Sequence, residues 1–274
     1  MSSFANRTVF ITGASRGIGK AIALRLAKEG ANIVIAAKSV EEDHRLGGTI
    51  YSAAEEVEAA GGKALAVQVD IRDEAQIAAA VQQAVDKFGG IDVVINNASA
   101  ISLTNTEKTE AKRFDLMQSI NVRGTFLVVK HCLPWLKKGN NPHIITLSPP
   151  ISLKPKWMGG HIAYTLTKYN MSMLALGWAA EFKNDGIASN ALWPKTTIDT
   201  AAVRNLLGGE ALAKMSRTPE IIADSVYYIL SKTGLAYTGN TFIDEEVLAK
   251  EGISNLDQYA VVPGGQLYPD LFVD

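Results

Sequence analysis

Thr8-Val9-Phe10-Ile11-Thr12-Gly13-Ala14-Ser15-Arg16-Gly17-Ile18-Gly19 is the stretch that decides the fold. An apolar run over 8–11 feeds a turn with glycines at 13, 17 and 19, and a helical pattern of Ile18, Ile22 and Leu26 follows. Strand, turn and helix in that order are the context a glycine-rich phosphate loop requires. Glycine lets the backbone turn tightly and come close to a pyrophosphate, whose charge is met by free N–H groups at the helix N-terminus. Thr12, Gly13, Ser15, Arg16, Gly17, Ile18 and Gly19 are therefore candidate cofactor-binding positions.

Outward from this stretch the chain alternates. Strands are expected at 8–12, 32–36, 64–70, 91–96, 143–147, 188–192 and 241–243, and helices near 17–29, 49–60, 74–88, 111–136, 164–182 and 219–231. Gly30, Gly61 and Gly89 fall where a helix stop is expected. Alternation of this kind means right-handed crossovers and a parallel sheet. The expectation is an α/β fold: a Rossmann-type, doubly wound, parallel seven-stranded sheet in a single domain, residues 1–274, with 41–48 as a surface loop. Ligands of such sheets gather at the carboxyl ends of the strands, where the order reverses.

Bulk properties exclude several function classes. With 274 residues, 47% of them hydrophobic, the chain can bury a large core. A net charge of −1 and a pI of 6.4 leave no electrostatic footprint for nucleic acid or an anionic membrane surface. The polar 1–7 segment holds no secretion core and no stretch reaches the ~20 apolar residues of a membrane span. One cysteine, Cys132, cannot form an internal disulfide. These features fit a soluble protein of the reducing cytoplasm, with no nucleic-acid or membrane partner and no metal site.

Past the middle, Tyr164-Thr165-Leu166-Thr167-Lys168 puts a phenol and an ammonium one helical turn apart on one face. Tyrosine titrates near 10 and must shift by ~3 units, ~4 kcal/mol, to serve as a base near neutrality. A cation ~4 Å away contributes ~4 kcal/mol at an effective dielectric of ~20. Lys168 is thus sufficient in magnitude to acidify Tyr164. Phosphate loop and Tyr–Lys pair together suggest hydride transfer to or from an alcohol or ketone, Tyr164 passing the proton and Lys168 tuning it and holding the nicotinamide ribose. Tyr228 and Lys232 repeat the spacing, but in a late amphipathic helix, where the pair reads as structural.

The glycine spacing, Thr-Gly-x-x-x-Gly-x-Gly, and the Tyr-x-x-x-Lys pair resemble the short-chain dehydrogenase/reductase family, over roughly 8–243. The resemblance implies roles for further residues. Asp70 would reach the adenine amine, while Asn97 and Ala98 would brace the sheet beside the ribose. Asn121, an amide in an apolar helical stretch, would hold a water that relays protons from the lysine. Pro194, Ile198 and Thr200, after the sixth strand, would approach the nicotinamide, with 196–217 as a substrate lid. A serine orienting the substrate oxygen would be Ser148, which directly follows the fifth strand, with Ser152 as the alternative. No acid closes the second strand, Ile35-Ala36-Ala37-Lys38, and Lys38 and Arg16 supply positive charge, so NADP is the expected cofactor and NAD the alternative. A homodimer or homotetramer through the two long helices is also implied.

Three departures stand out. Pro149 and Pro150 occupy the serine loop, Lys195 replaces a customary glycine, and Asp244-Glu245-Glu246 stands where Asp-Gly-Gly is usual. The 247–274 extension, carrying Tyr259, Tyr268 and Phe272, is apolar enough to pack over the site or at an oligomer contact. Apolar side chains at 157–160 and Trp193 suit a small hydrophobic alcohol or carbonyl substrate. The rival readings are a non-catalytic NADP-binding protein and a nucleotide-sugar epimerase or dehydratase.

Overall fold

The structure is a computed structural model that describes residues 4–43 and 46–273. Its strands are β1 Thr8–Thr12, β2 Asn32–Ala37, β3 Lys63–Gln68, β4 Val93–Asn96, β5 His143–Leu147, β6 Ala188–Trp193 and β7 Thr241–Ile243. Its helices are α1 Gly17–Ala27, α2 Ile50–Ala59, α3 Glu74–Phe88, α4 Ala111–Met117, α5 Thr125–Leu136, α6 Pro155–Met158, α7 Ile162–Glu181, α8 Gly209–Lys214, α9 Glu220–Ser231 and α10 Asp244–Lys250. Among the described residues seven strands form one sheet in the order β3-β2-β1-β4-β5-β6-β7, every pair parallel. The order reverses between β1 and β4, so the doubly wound expectation holds.

Strands buried on both faces carry mostly apolar side chains rather than an alternation, and the polar ones among them are hydrogen-bonded, as Ser189 is to Ala175 O and Asn190 to Tyr237 O. β1, β2 and β6 are buried along their whole length. One core, with Ile22, Leu26, Val226 and Ile229, lies under α1 and α9; the other, with Ile77, Val81, Val128 and Trp178, lies under α3, α5 and α7. Cys132 is enclosed in the second core, and burial pushes its thiol well above the usual range.

Local signals explain the helix ends. Thr49 and Ser52 form a reciprocal capping box on α2, and Asp73 accepts from the backbone N–H groups of Ala75 and Gln76 to start α3. Gly30, Gly61 and Gly89 all take positive φ, as their place after helices anticipates. Of the 41–48 loop, residues 44 and 45 lie outside the described residues.

Three elements differ from the sequence reading, the first being the short α6, Pro155–Met158, where no helix is expected. The long helix expected over 111–136 is α4 and α5 joined by a π-helical segment, Gln118–Gly124. Gly124 passes so close to Ile71 that a Cβ would sit 2.9 Å from its side chain, and the widened turn accommodates this approach. The acid run at 244–246 opens α10, where negative side chains in the first turn complement the helix dipole.

The switch point itself is tied by side chains. Thr12 Oγ1 accepts from the backbone N–H groups of Asn97 and Ala98, both 3.0 Å, and Asn97 Nδ2 donates to the carbonyls of Thr12, 2.9 Å, and Gly13, 3.1 Å. A Cβ at Gly19 would lie 2.6 Å from both Asn97 Nδ2 and Gly13 O. Gly19→Ala is therefore expected to lose about 1–3 kcal/mol of stability by strain at this knot, read by urea unfolding; an unchanged midpoint would show that the knot yields freely.

Candidate active site

The strand ends on either side of the switch point open onto a cleft of about 520 Å³. Gly13, Ser15, Arg16, Gly17 and Ile18 line it from the loop after β1, Lys38 and Asp70 from the ends of β2 and β3, Asn97 and Ala98 from β4, Tyr164 and Lys168 from α7, and Thr200 from the loop after β6. Most of the residues singled out in the sequence thus converge on one concavity. Thr12, Gly19, Pro194 and Ile198 stand behind its wall. Ile198 is 4% exposed and packs in the first core. Trp193, singled out for its apolar ring, lines the cleft as well, and so do Ile71, Ile101, Ile120, Ala201 and Ala202, which carry no polar signature that a motif could register.

The loop fits a pyrophosphate. Gly13 and Gly17 take φ of +69° and +54°. Arg16, at the N-cap of α1, gives no side-chain cap to the first turn, whose N–H groups are thus left to an anion. The Arg16 guanidinium donates to Ser39 Oγ and to the Gly48 carbonyl, 3.3 Å, and so braces the loop against the chain after β2. Lys38 is largely exposed and pairs with Asp70 at 3.6 Å. Arg72 binds Asp70 through Nε at 3.0 Å, and this contact holds the carboxyl down at about 2.

Tyr164 and Lys168 lie in the first two turns of α7, exposed by 4% and 2%. Their electrostatics differ from the sequence expectation. Lys168 Nζ donates to the Leu147 carbonyl at 2.6 Å and sits 4.9 Å from the centre of the Trp193 ring. Burial brings its ammonium down to about 7. The Tyr164 phenol is raised, by burial first and by the Asp270 carboxylate second. Desolvation disfavours the charged form of both groups. In a pocket this dry it outweighs the pairwise attraction that spacing alone had suggested.

Asn121 lies in the π-helical segment and is fully buried. Its Oδ1 accepts from Ala100 N, 2.7 Å, and its Nδ2 donates to Ala100 O and Thr167 Oγ1, both 2.9 Å. Both amide hydrogens and one acceptor site of the oxygen are taken by protein, tying the chain after β4 to α7. Ser148 is also fully buried, its hydroxyl has no partner among the described residues, and it does not line the cleft. Ser152 is half-buried; its hydroxyl accepts from Lys154 N at 3.4 Å and its carbonyl accepts from the Tyr169 hydroxyl at 2.7 Å.

The replacement of glycine by Lys195 leaves no strain. The described non-glycine residues with positive φ are Asn6, Asn141 and Phe272, so Lys195 occupies a conformation that needs no glycine. Lys195 N donates to Asp244 Oδ1, 2.8 Å, and Lys195 O accepts from Asp270 N, 3.1 Å. The C-terminal segment continues this stitching: Tyr268 N donates to Met215 O, Thr197 N to Tyr268 O, and Trp193 Nε1 to Leu271 O.

This convergence of a glycine-rich loop and a buried Tyr–Lys pair at one switch point is the arrangement of a short-chain dehydrogenase. The family model described as short chain dehydrogenase matches residues 7–210, and the chain belongs to that family. It is 61% identical over 267 residues to hydroxysteroid dehydrogenase-like protein 2 of Xenopus tropicalis and 59% identical to the human protein of that name, alignments that cover 97% of this chain and 63% of each relative. The chain thus spans somewhat less than two thirds of the length of these curated relatives. A crystal structure of a short chain dehydrogenase from Mycobacterium thermoresistibile superposes with a TM-score of 0.94 at 52% identity, covering 99% of this chain and 96% of that one.

Asp244 gives the site a pH signature. It is fully buried, one oxygen has no partner among the described residues, and burial raises its carboxyl to about 6. A carboxyl raised on folding stabilises fully below its unfolded value, here 3.8, and loses that contribution as pH climbs through about 6. Asp244→Asn, which keeps the acceptor for Lys195, is expected to be more stable than the parent at pH 8 by on the order of 2 kcal/mol and to lose that advantage at pH 4; urea titrations at the two pH values would show a pH-independent difference if the carboxylate were not the cause.

Proposed function

We propose that the chain is an NADP(H)-dependent oxidoreductase that interconverts a hydrophobic alcohol and its ketone or aldehyde. The observation that carries this reading is the meeting of Tyr164 and Lys168 with Gly13, Gly17 and Asn97 in one cleft. A nicotinamide cofactor would lie along the glycine loop and supply or accept the hydride. Tyr164 hands its phenolic proton to the carbonyl oxygen as hydride reaches the carbon, and takes it back in the reverse direction. A phenol that burial keeps protonated is suited to the reductive direction. Lys168, whose ammonium burial makes more acidic, returns the proton to Tyr164. The π-helical turn around Asn121 takes carbonyls out of the α pattern, which supports a water at this point linking Lys168 to solvent.

The preference for NADP is supported by Ala36 and Ala37, which line the cleft where an NAD enzyme would present an acid, and by the positive Lys38 and Arg16 beside them. Substrate class follows from the apolar surroundings of Tyr164, formed by Trp193, Met117 and Ile101. A cytoplasmic setting fits the reduced, enclosed Cys132, and among the described residues no helix is long and apolar enough to cross a membrane. A dimer or tetramer through α5 and α7 belongs to the same reading. The withdrawn Ser148 favours one alternative, a protein that binds NADP without turnover.

Two experiments test this. Tyr164→Phe is expected to lower kcat on a panel of hydrophobic ketones about 10²–10⁴-fold while NADPH affinity stays within about twofold. Turnover intact in that variant would end the proton-transfer role, and NADPH binding with no turnover by the parent on any ketone or alcohol would favour the binding protein. Lys38→Ala is expected to raise the KM for NADPH about tenfold relative to NADH, as loss of a charge-assisted hydrogen bond would; an unchanged ratio would remove the NADP preference.

A further inference from the structure

A third apolar cluster sits apart from the two cores and is organised around one side chain, Phe272. Its ring lies 5.8 Å from Trp157, 5.8 Å from His161, 6.2 Å from Tyr164, 5.3 Å from Tyr169 and 6.1 Å from Trp193, centre to centre. Phe272 is 3% exposed. Trp157, His161 and Tyr169 do not line the cleft. Phe272 therefore fills the space among them on that side of Tyr164.

The way Phe272 is held sets it apart from an ordinary core residue. Its φ is +69°, a left-handed conformation that a bulky side chain rarely adopts and that persists only where its surroundings impose it. The 268–271 backbone imposes it: Asp270 N on Lys195 O, Leu271 N on Asp270 Oδ1, and Trp193 Nε1 on Leu271 O. A second observation points to a ligand in the same place. The indole Nε1 of Trp157, whose ring packs on Phe272, is buried with no acceptor among the described residues. Buried donors are ordinarily satisfied, and a polar group on an incoming molecule would satisfy this one.

We propose that Phe272 is a plug in the substrate subsite, and that the apolar body of an aryl or alkyl ketone reaches Tyr164 by taking its place. The inference rests on the reading of Tyr164 as the proton donor. A box of four aromatic rings and a histidine selects flat or bulky apolar groups, because rings pair edge to face or offset at these spacings. Binding to a state that must first be vacated is weakened by the fraction of time the plug is out. Shortening the plug should therefore strengthen binding, whereas shortening a wall residue would weaken it.

The experiment uses the whole chain with 2-acetylnaphthalene and acetone as bulky and small ketones, in Phe272→Leu and Phe272→Ala, with thermal melts to select variants that fold. The expected result is a fall of about tenfold in KM for 2-acetylnaphthalene relative to acetone, with NADPH affinity unchanged. Binding of 2-acetylnaphthalene is read separately through tryptophan emission, since Trp157 and Trp193 both flank the ring, and should tighten about tenfold in the variants. If the parent turns over no ketone, the proton-donor reading fails, and the emission titration still decides the plug. Weaker or unchanged affinity for 2-acetylnaphthalene in the folded Leu variant would overturn the proposal.

Discussion

The molecule depends on the knot between Thr12 and Asn97. A parallel sheet that reverses direction leaves a crevice where β1 and β4 part, and nothing in the ladder itself fixes its width. Here one hydroxyl takes two backbone N–H groups from the chain leaving β4, and one amide takes two carbonyls from the chain leaving β1. The glycine at 19 is the steric counterpart, since the helix that follows can approach the knot only without a Cβ. Loop, crevice and the start of α1 are thereby one rigid piece, as preorganised anion binding requires.

On the other side of the crevice the governing term is dehydration. Tyr164 and Lys168 are placed by a single helix, but their charges are set by how little water reaches them. The Leu147 carbonyl and the Trp193 face stabilise the ammonium. Asp270, brought in from the far end of the chain, adds a carboxylate that burial lifts to about 7. Three groups with acid–base behaviour displaced from their ordinary ranges meet at one point, and such clusters are characteristic of sites where protons move.

The fold was legible because its signals are local. β-branched runs, a glycine after each of several helices and the spacing of the first loop each report on a few neighbouring residues, and all seven expected strands are present within a residue or two at either end. The convergence of Gly13, Gly17 and Lys38 on one cleft was legible for the same reason, as they fall at a strand end or in the turn that follows one. What escaped was decided by distance in the chain. The π turn at 118–124 answers to Ile71, and the Tyr–Lys electrostatics answer first to burial, with Asp270 a second influence on the phenol. The withdrawal of Ser148 beneath the wall and the gathering of five ring-bearing side chains around Phe272, from positions 79 to 115 residues earlier in the chain, are matters of tertiary packing. Spacing rules cannot see such contacts, whereas the three acids before Val247 and Leu248 are a local helix-start signal that the sequence reading passed over.

The enclosure of Cys132 has a practical corollary. A lone sulfhydryl on the buried face of α5, with its ionisation suppressed, is inert toward alkylating reagents for as long as that side of the sheet stays shut. Its rate of modification then reports the frequency of breathing in the layer that carries α3, α5 and α7. The chain contains its own gauge of how independently its two halves open.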